Sequence, residues 1–279
     1  MRETRRYLGL ELAGAKNQKT ALAALEFYPK ERKIFLLDIY DRISTHDHQS
    51  SDEALLELIE ELGPGITKMG VNVPLALPPC IPCTRKTCPL PGECAVPAVK
   101  WMRNLTQQLA RSSYQDQKIL EFTPYTQRPF ELWARYLLLP ELAPNMTFEI
   151  DEALGGNRAP LTARMHFLKM HLSKIQVIEV WPKLSVALLA RDLGIDESLI
   201  SKYRKLEEGF DAREEILAQI SKSKEIFVYD RDLRKLAQSL PAFDAFVCAF
   251  TALLSDQMAC VRPPKGFPIH SGWVEYPEG

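Results

Sequence analysis

No stretch of this 279-residue chain comes near the ~20 consecutive apolar residues of a membrane-spanning helix. The start, "MRETRRYLGLELAGA", is no secretion signal either, because its apolar run is too short and Glu11 interrupts it. Charge of one sign is also missing. The formal net charge is -1, so no global basic field points to nucleic acid or to a membrane surface, although a local basic groove remains compatible with it. There is no internal repeat and no low-complexity linker. Hydrophobic content of 46% and charged content of 25% are those of a globular protein, and the length suffices for a large core. The expectation is a cytoplasmic protein: one α/β domain over residues 1 to 279, with helical insertions at 97 to 172 and 183 to 222. Cysteine is scarce too, with six in the chain, yet four of them crowd into residues 80 to 94.

Alternation and helical spacing then place the elements. In "RYLGLELAG", Tyr7, Gly9, Glu11 and Ala13 fall on one strand face and Leu8, Leu10 and Leu12 on the other. "KTALAALEFY" and "KIFLLDIYDRI" are two further strands around the turn-like "PKERK". "SSDEALLELIEELGPG" predicts a helix with a Ser/Asp start and a Gly-Pro-Gly stop. "TKMGVNVPLALP" is a fourth strand. Helical spacing follows in "AVPAVKWMRNLTQQLARSS", "RPFELWARYLLL" and "APLTARMHFLKMHL", and "KIQVIEVWP" is a short buried strand. "EIFVYD" suits a strand or a helix start. "LPAFDAFVCAFTALLSDQ" is an apolar helix with Pro241 in its first turn. The tail is irregular, with Trp273 and Tyr276 expected to pack back on the body.

Four polar residues interrupt these apolar elements: Glu11 in the first strand, Asn72 in the fourth, Glu179 in "VIEVWP" and Asp244 in the last helix. A buried carboxylate needs a hydrogen bond, a cation or a metal. Carboxylates converging at strand ends hold hard cations such as magnesium. Two such ions ~4 Å apart activate water and stabilise a leaving oxygen in phosphodiester cleavage. Simpler uses exist for each residue taken alone. Asp244 complements a helix N-terminus, and Glu11 and Glu179 can pair with any of the 35 Lys and Arg residues.

Taken in order, "YLGLELAGA", "GVNVPLALP", "NRAPLTARM", "IEVWPKLS" and "FDAFVCAFTALL" resemble the successive motifs of an RNase H-like family of predicted nucleases (domain of unknown function 429). The resemblance spans residues 6 to 256. It implies a five-stranded mixed sheet, three antiparallel strands followed by parallel ones, with helices on both faces. By motif, Glu11 stands where the family has the first-strand Asp, Asn72 where the fourth strand has Asp, Glu179 at an acidic fifth-strand position and Asp244 at the Asp of the final helix. Glu11 adds a methylene. Asn72 removes a negative charge and weakens any cation site.

The cysteines read C-x2-C-x4-C-x5-C at Cys80, Cys83, Cys88 and Cys94, set into this frame. In a reducing compartment such crowding points to metal rather than disulfides. Zinc sites pair two short knuckles. A single knuckle followed by wider gaps in a proline-rich loop favours a [4Fe-4S] cluster, with Zn2+ as the alternative. The bland alternative is a loop of inert or oxidised thiols. Cys248 lies on an apolar helix as a core residue, and Cys260 also lies outside the loop. Arg85 and Lys86 lie between the second and third cysteines, and Lys100, Trp101 and Arg103 follow on the next helix. Such a loop suits contact with a nucleic-acid backbone, or it is a structural staple. Near "TPYTQRPFELW" and "GGNRAPLTAR", Arg128, Arg158 and Arg164 either bind phosphate or pair with Glu179 or Asp244.

Three functions are compatible with this pattern. The first is an Mg2+- or Mn2+-dependent nuclease or phosphotransfer enzyme using Glu11, Asp244, Glu179 and Asn72. The second is a nucleic-acid-binding or scaffold protein with little or no hydrolysis. The third is a sensor that depends on the cysteine-bound metal.

Overall fold

The computed structural model describes residues 4–14, 19–44, 49–63, 65–112 and 122–279. Residues 1–3, residue 64 of the expected Gly-Pro-Gly stop and residue 113 at the end of the expected helix "AVPAVKWMRNLTQQLARSS" lie outside them. The first two strands form a hairpin: β1 (Arg5–Glu11) and β2 (Thr20–Tyr28), antiparallel with Gly9 opposite Ala23. β3 (Lys33–Ile43) continues the antiparallel run. Helix α1 (Ser51–Glu61) begins with a capping box, in which Ser50 and Glu53 satisfy each other's backbone N–H. β4 (Ile66–Val71) then pairs parallel to β1.

Between β4 and β5 the described residues hold no strand, only loops and helices. The short α2 (Leu90–Glu93) lies in the cysteine loop, and α3 (Pro97–Ser112), α4 (Pro129–Trp133) and α5 (Arg158–His171) follow. β5 (Gln176–Val180) pairs parallel to β4. The remaining helices are α6 (Pro182–Leu193), α7 (Glu197–Lys202), α8 (Gly209–Ser223), α9 (Asp230–Gln238) and α10 (Leu240–Asp256). Among the described residues no single helix is long and apolar enough to cross a membrane.

Among the described residues the sheet has seven strands rather than five, in the order β6-β3-β2-β1-β4-β5-β7. The two additions are the edge strands β6 (Ile226–Phe227) and β7 (Val274–Glu275), both parallel to their neighbours. A two-residue strand has no alternation to read, so only its neighbour defines it. The tail expected to be irregular thus supplies β7, and Trp273 and Tyr276 do pack into the aromatic group around Phe130.

The alternation of β1 decides the layers. Tyr7 joins the core formed with α10, whereas Leu8, Leu10 and Leu12 join Leu55 and Ile59 of α1 and Met165 and Leu168 of α5 on the opposite face. On the α10 face, Gly9 of β1 lies beside Gly70 of β4. Their missing side chains leave a trough in which the α10 backbone lies.

Candidate active site

Glu11 is the last residue of β1, and Asn72 directly follows β4, its N–H donating to the Leu10 carbonyl at 3.0 Å. The parallel register places both side chains on the α10 face, and Asn72 Nδ2 donates to Glu11 Oε2 at 2.6 Å. Asp244 descends onto the same place from the first turns of α10, close enough for its charge to act on Glu11. It is 1% exposed. One of its oxygens, Oδ2, accepts from Arg204 at 2.7 Å. The other, Oδ1, is buried without a hydrogen-bond partner among the described residues.

Three cations from three segments surround this pair. Arg158, at the start of α5, donates to the Asn72 carbonyl at 2.8 Å and to Asp151 at 2.9 Å. Lys183, in the first turn of α6, donates to Asp151 at 3.1 Å and lies over the Phe148 ring. Arg204 projects from the turn after α7. That turn is held by buried Arg213, which donates to the carbonyls of Tyr203 and Ala237. Asp244 feels Arg204, Arg158 and Lys183, and Glu11 feels Arg158 and Arg204.

Electrostatically the carboxylates are under pressure. Burial first, and then the charge of Asp244, pushes Glu11 up to about 8, while Arg158 and the Asn72 amide pull the other way. Glu11 keeps some exposed surface as a residue, but its carboxyl group lies deep enough for desolvation to dominate. Burial also raises Asp244, against the pull of Arg204. Cys248, one helical turn beyond Asp244, is raised by burial and by both carboxylates.

A pH dependence follows. Glu11 has its ordinary value, 4.5, when unfolded and about 8 when folded, so the folded state holds the proton more tightly. Its contribution to stability is complete below 4.5 and is lost as pH rises through about 8. Urea midpoints measured with chelator present should fall across that window, and Glu11→Gln should flatten the fall. A wild-type profile already flat there would show that Glu11 is ionised without penalty.

Glu179 is elsewhere. It pairs in register with Val71, not Asn72, so strand alternation turns it to the face away from α10. Arg128 clasps it with both terminal nitrogens, at 2.7 and 2.8 Å, and the Leu75 N–H and Trp181 Nε1 complete its shell. Arg128 is fully buried and also donates to Glu131 at 2.8 Å. It therefore pairs with Glu179 rather than facing a substrate. Arg164 is likewise engaged, by Asp52 and the Ala13 carbonyl.

The cysteine loop lies beside the end of β4. Arg85 lines a groove of about 530 Å3 with Leu75, His166 and His270, and Lys86 is exposed. Neither acts on Glu11 or Asp244. Trp101 packs edge-on against Phe267, with centroids 5.1 Å apart, and Arg103 turns back to the carbonyls of Pro91, Gly92 and Cys94. The aromatic and one cation expected to face a nucleic acid are thus used internally. The thiol of Cys80 is raised by burial and then by Cys94, Cys88 and Cys83, so the four lie within electrostatic reach of one another. Among the described residues, no three His, Cys, Asp or Glu side chains stand as a preformed ligand group.

Asp151, Lys183, Tyr203 and Arg204 escaped sequence reasoning. They sit in ordinary polar segments such as "SLISKYRKLEEG", where a solvated residue and a site residue look alike. Comparison of the chain with protein-family models, curated proteins and solved structures returned no match.

Proposed function

We propose that this protein is a divalent-cation-dependent enzyme of phosphodiester cleavage or phosphoryl transfer, built on an RNase H-like core and acting in the cytoplasm on nucleic acid. The observation that carries this reading is the buried Asp244 Oδ1, which has no hydrogen-bond partner among the described residues and stands beside a second carboxylate, Glu11, which burial first and then the charge of Asp244 push towards its protonated form. A hard cation between two such oxygens would relieve the repulsion and complete the hydrogen-bonding shortfall. Further support comes from the central order β3-β2-β1-β4-β5, antiparallel and then parallel.

Glu11 and Asp244 would hold Mg2+ or Mn2+, which supplies Lewis acidity and a water of lowered pKa. The chain's own groups do the positioning. Asn72 fixes the rotamer of Glu11 through its amide, and Arg204 fixes Asp244. Arg158 and Lys183 share Asp151, whose side chain is 41% exposed. A phosphate exchanging for that carboxylate would keep both cations paired.

A second reading, a nucleic-acid-binding protein without hydrolysis, is favoured by one contact: the Asn72 amide spends an oxygen of Glu11 that a metal would want. Calorimetric Mn2+ titration and cleavage of labelled single- and double-stranded DNA and RNA separate the two. Wild type should bind Mn2+ and cleave. Glu11→Gln should lower cleavage about 100-fold or more, since even partners outside a ligand shell are worth about 10–100-fold. Asn72→Asp should bind Mn2+ more tightly and cleave faster. Equal turnover by wild type and Glu11→Gln protein would assign the activity to a contaminant. Nucleic-acid binding with neither Mn2+ uptake nor cleavage would establish the second reading.

A further inference from the structure

The cysteine loop is built unlike the rest of the molecule. Its ends are tied. The Cys80 N–H donates to the Pro124 carbonyl at 3.0 Å, and Arg103 gathers the carbonyls of Pro91, Gly92 and Cys94 at 3.0, 2.8 and 3.1 Å. Between the ties, residues 81 to 88 are all exposed and join none of the three apolar clusters. Burial of apolar surface therefore does not hold this stretch. Leu90 adds a cost. It is 71% exposed and has φ of 66°, a left-handed conformation that disfavours a side chain such as leucine. Leu90 lies between Cys88 and Cys94, at the start of α2. An exposed, unpacked loop containing a strained turn needs another source of stability, and its four thiols are the groups able to provide one.

We infer that Cys80, Cys83, Cys88 and Cys94 bind one thiophilic metal centre, either a zinc ion or a [4Fe-4S] cluster, and that this centre fixes the outer wall of the groove beside β4. All four cysteines are free thiols, and Cys94 is buried at the base of the loop while Cys83 and Cys88 are exposed on it. The ligands close on the centre by turning their side chains and the exposed stretch between them, each thiol losing its proton as it binds. Cys83 and Arg85 line the groove together with His166 and His270. Fixing Cys83 therefore fixes the neighbouring Arg85 in the lining of the groove, which Leu75, Ala76 and Leu77 of the segment that leaves Asn72 also line.

These thiols stand apart from Glu11 and Asp244. Metal content, absorption and proteolysis report on them whether or not the chain cleaves phosphodiesters. The experiment uses the full chain purified anaerobically. A colourless protein with one zinc per chain supports the site in its zinc form, and a brown protein with about four irons and matching sulfide supports the cluster form. Stripped wild-type protein titrated with Co2+ should develop thiolate-to-cobalt absorption at one ion per chain, a readout that needs no variant. Cys88→Ser and Cys94→Ser should lower metal content and speed cleavage by protease between Pro78 and Val96, while circular dichroism of the sheet and helices stays unchanged. If either variant fails to fold, the Co2+ titration of wild type decides. Protein that carries no metal, gives no cobalt–thiolate absorption and shows four reactive thiols or two disulfides in this loop would overturn the inference. So would metal retained in full by Cys88→Ser and Cys94→Ser.

Discussion

Gly9→Ala is expected to destabilise this protein by about 3 kcal/mol or more, at or beyond the upper end of ordinary overpacking. A Cβ at residue 9 would come within 1.9 Å of the Ala245 carbonyl oxygen and 2.2 Å of the Ala249 nitrogen. Both are backbone atoms of a helix, so no rotamer change relieves the clash. Gly70 is the second half of the same trough, with a Cβ there reaching 2.3 Å from the Cys248 oxygen. The helix has to lift from the sheet, and α10 carries Asp244. Loss of stability should therefore come with loss of the site. The pressure of Asp244 on Glu11 weakens, and the pH-dependent fall in stability becomes shallower. Urea denaturation across pH measures both effects. Gly92→Ala is the control, because nothing lies within 4 Å of its added Cβ. Gly9→Ala protein as stable as that control would mean that α10 does not sit on β1 as described.

The second large effect is Arg128→Met. The guanidinium lies between Glu131 and Glu179, and all three side chains are 0% exposed. Removing it leaves two carboxylates buried without a cation. Breaking one side of a buried ion pair costs about 3–5 kcal/mol, against a total stability of about 5–15 kcal/mol for a typical domain. Acid should reduce the penalty. Unpaired and buried, both carboxyls hold their protons more tightly folded than unfolded, so the variant loses stability as pH rises and recovers part of it as pH falls. Arg128→Lys should fall between the two, keeping the charge but not the fork that spans both oxygens of Glu179. Because Glu179 also accepts from the Leu75 N–H, the segment following Asn72 should exchange its amide protons faster in Arg128→Met. A loss under about 1 kcal/mol at neutral pH would count against a compensated triad.

This triad also shows the limit of reading residues one by one. Glu11, Asn72, Glu179 and Asp244 have the same signature in sequence, a polar residue inside an apolar element. Three of them meet on the α10 face. The fourth is one register position away, opposite Val71, and faces the other side of the sheet. Alternation along β1 was legible because seven consecutive residues express it. Whether Glu179 shares a face with Asn72 depends on how β4 and β5 are paired, a relation between strands more than a hundred residues apart. The same holds for Arg128: the sequence left phosphate, Glu179 and Asp244 as its partners, and only the buried contacts decide for Glu179.

By itself the sequence located the first five strands, the capped α1, the apolar α10 and the crowding of four cysteines, because each rests on local periodicity, local capping or local spacing; the antiparallel and parallel directions of the strands were implied only by the family resemblance. The sequence also singled out Glu11, Asn72 and Asp244, but as interruptions within their elements; the structure ends β1 at Glu11 and β4 at Val71, so that Glu11 and Asn72 stand at the strand ends. The tertiary structure alone decided β7 and the choice of strand over helix in "EIFVYD", the ring of Arg158, Lys183 and Arg204, the Asp244 oxygen without a hydrogen-bond partner among the described residues and the removal of Glu179 to the opposite face. These are contacts between distant segments, set by how α10 settles into the Gly9–Gly70 trough and by strand register. Neither leaves a periodic trace in the segments it joins.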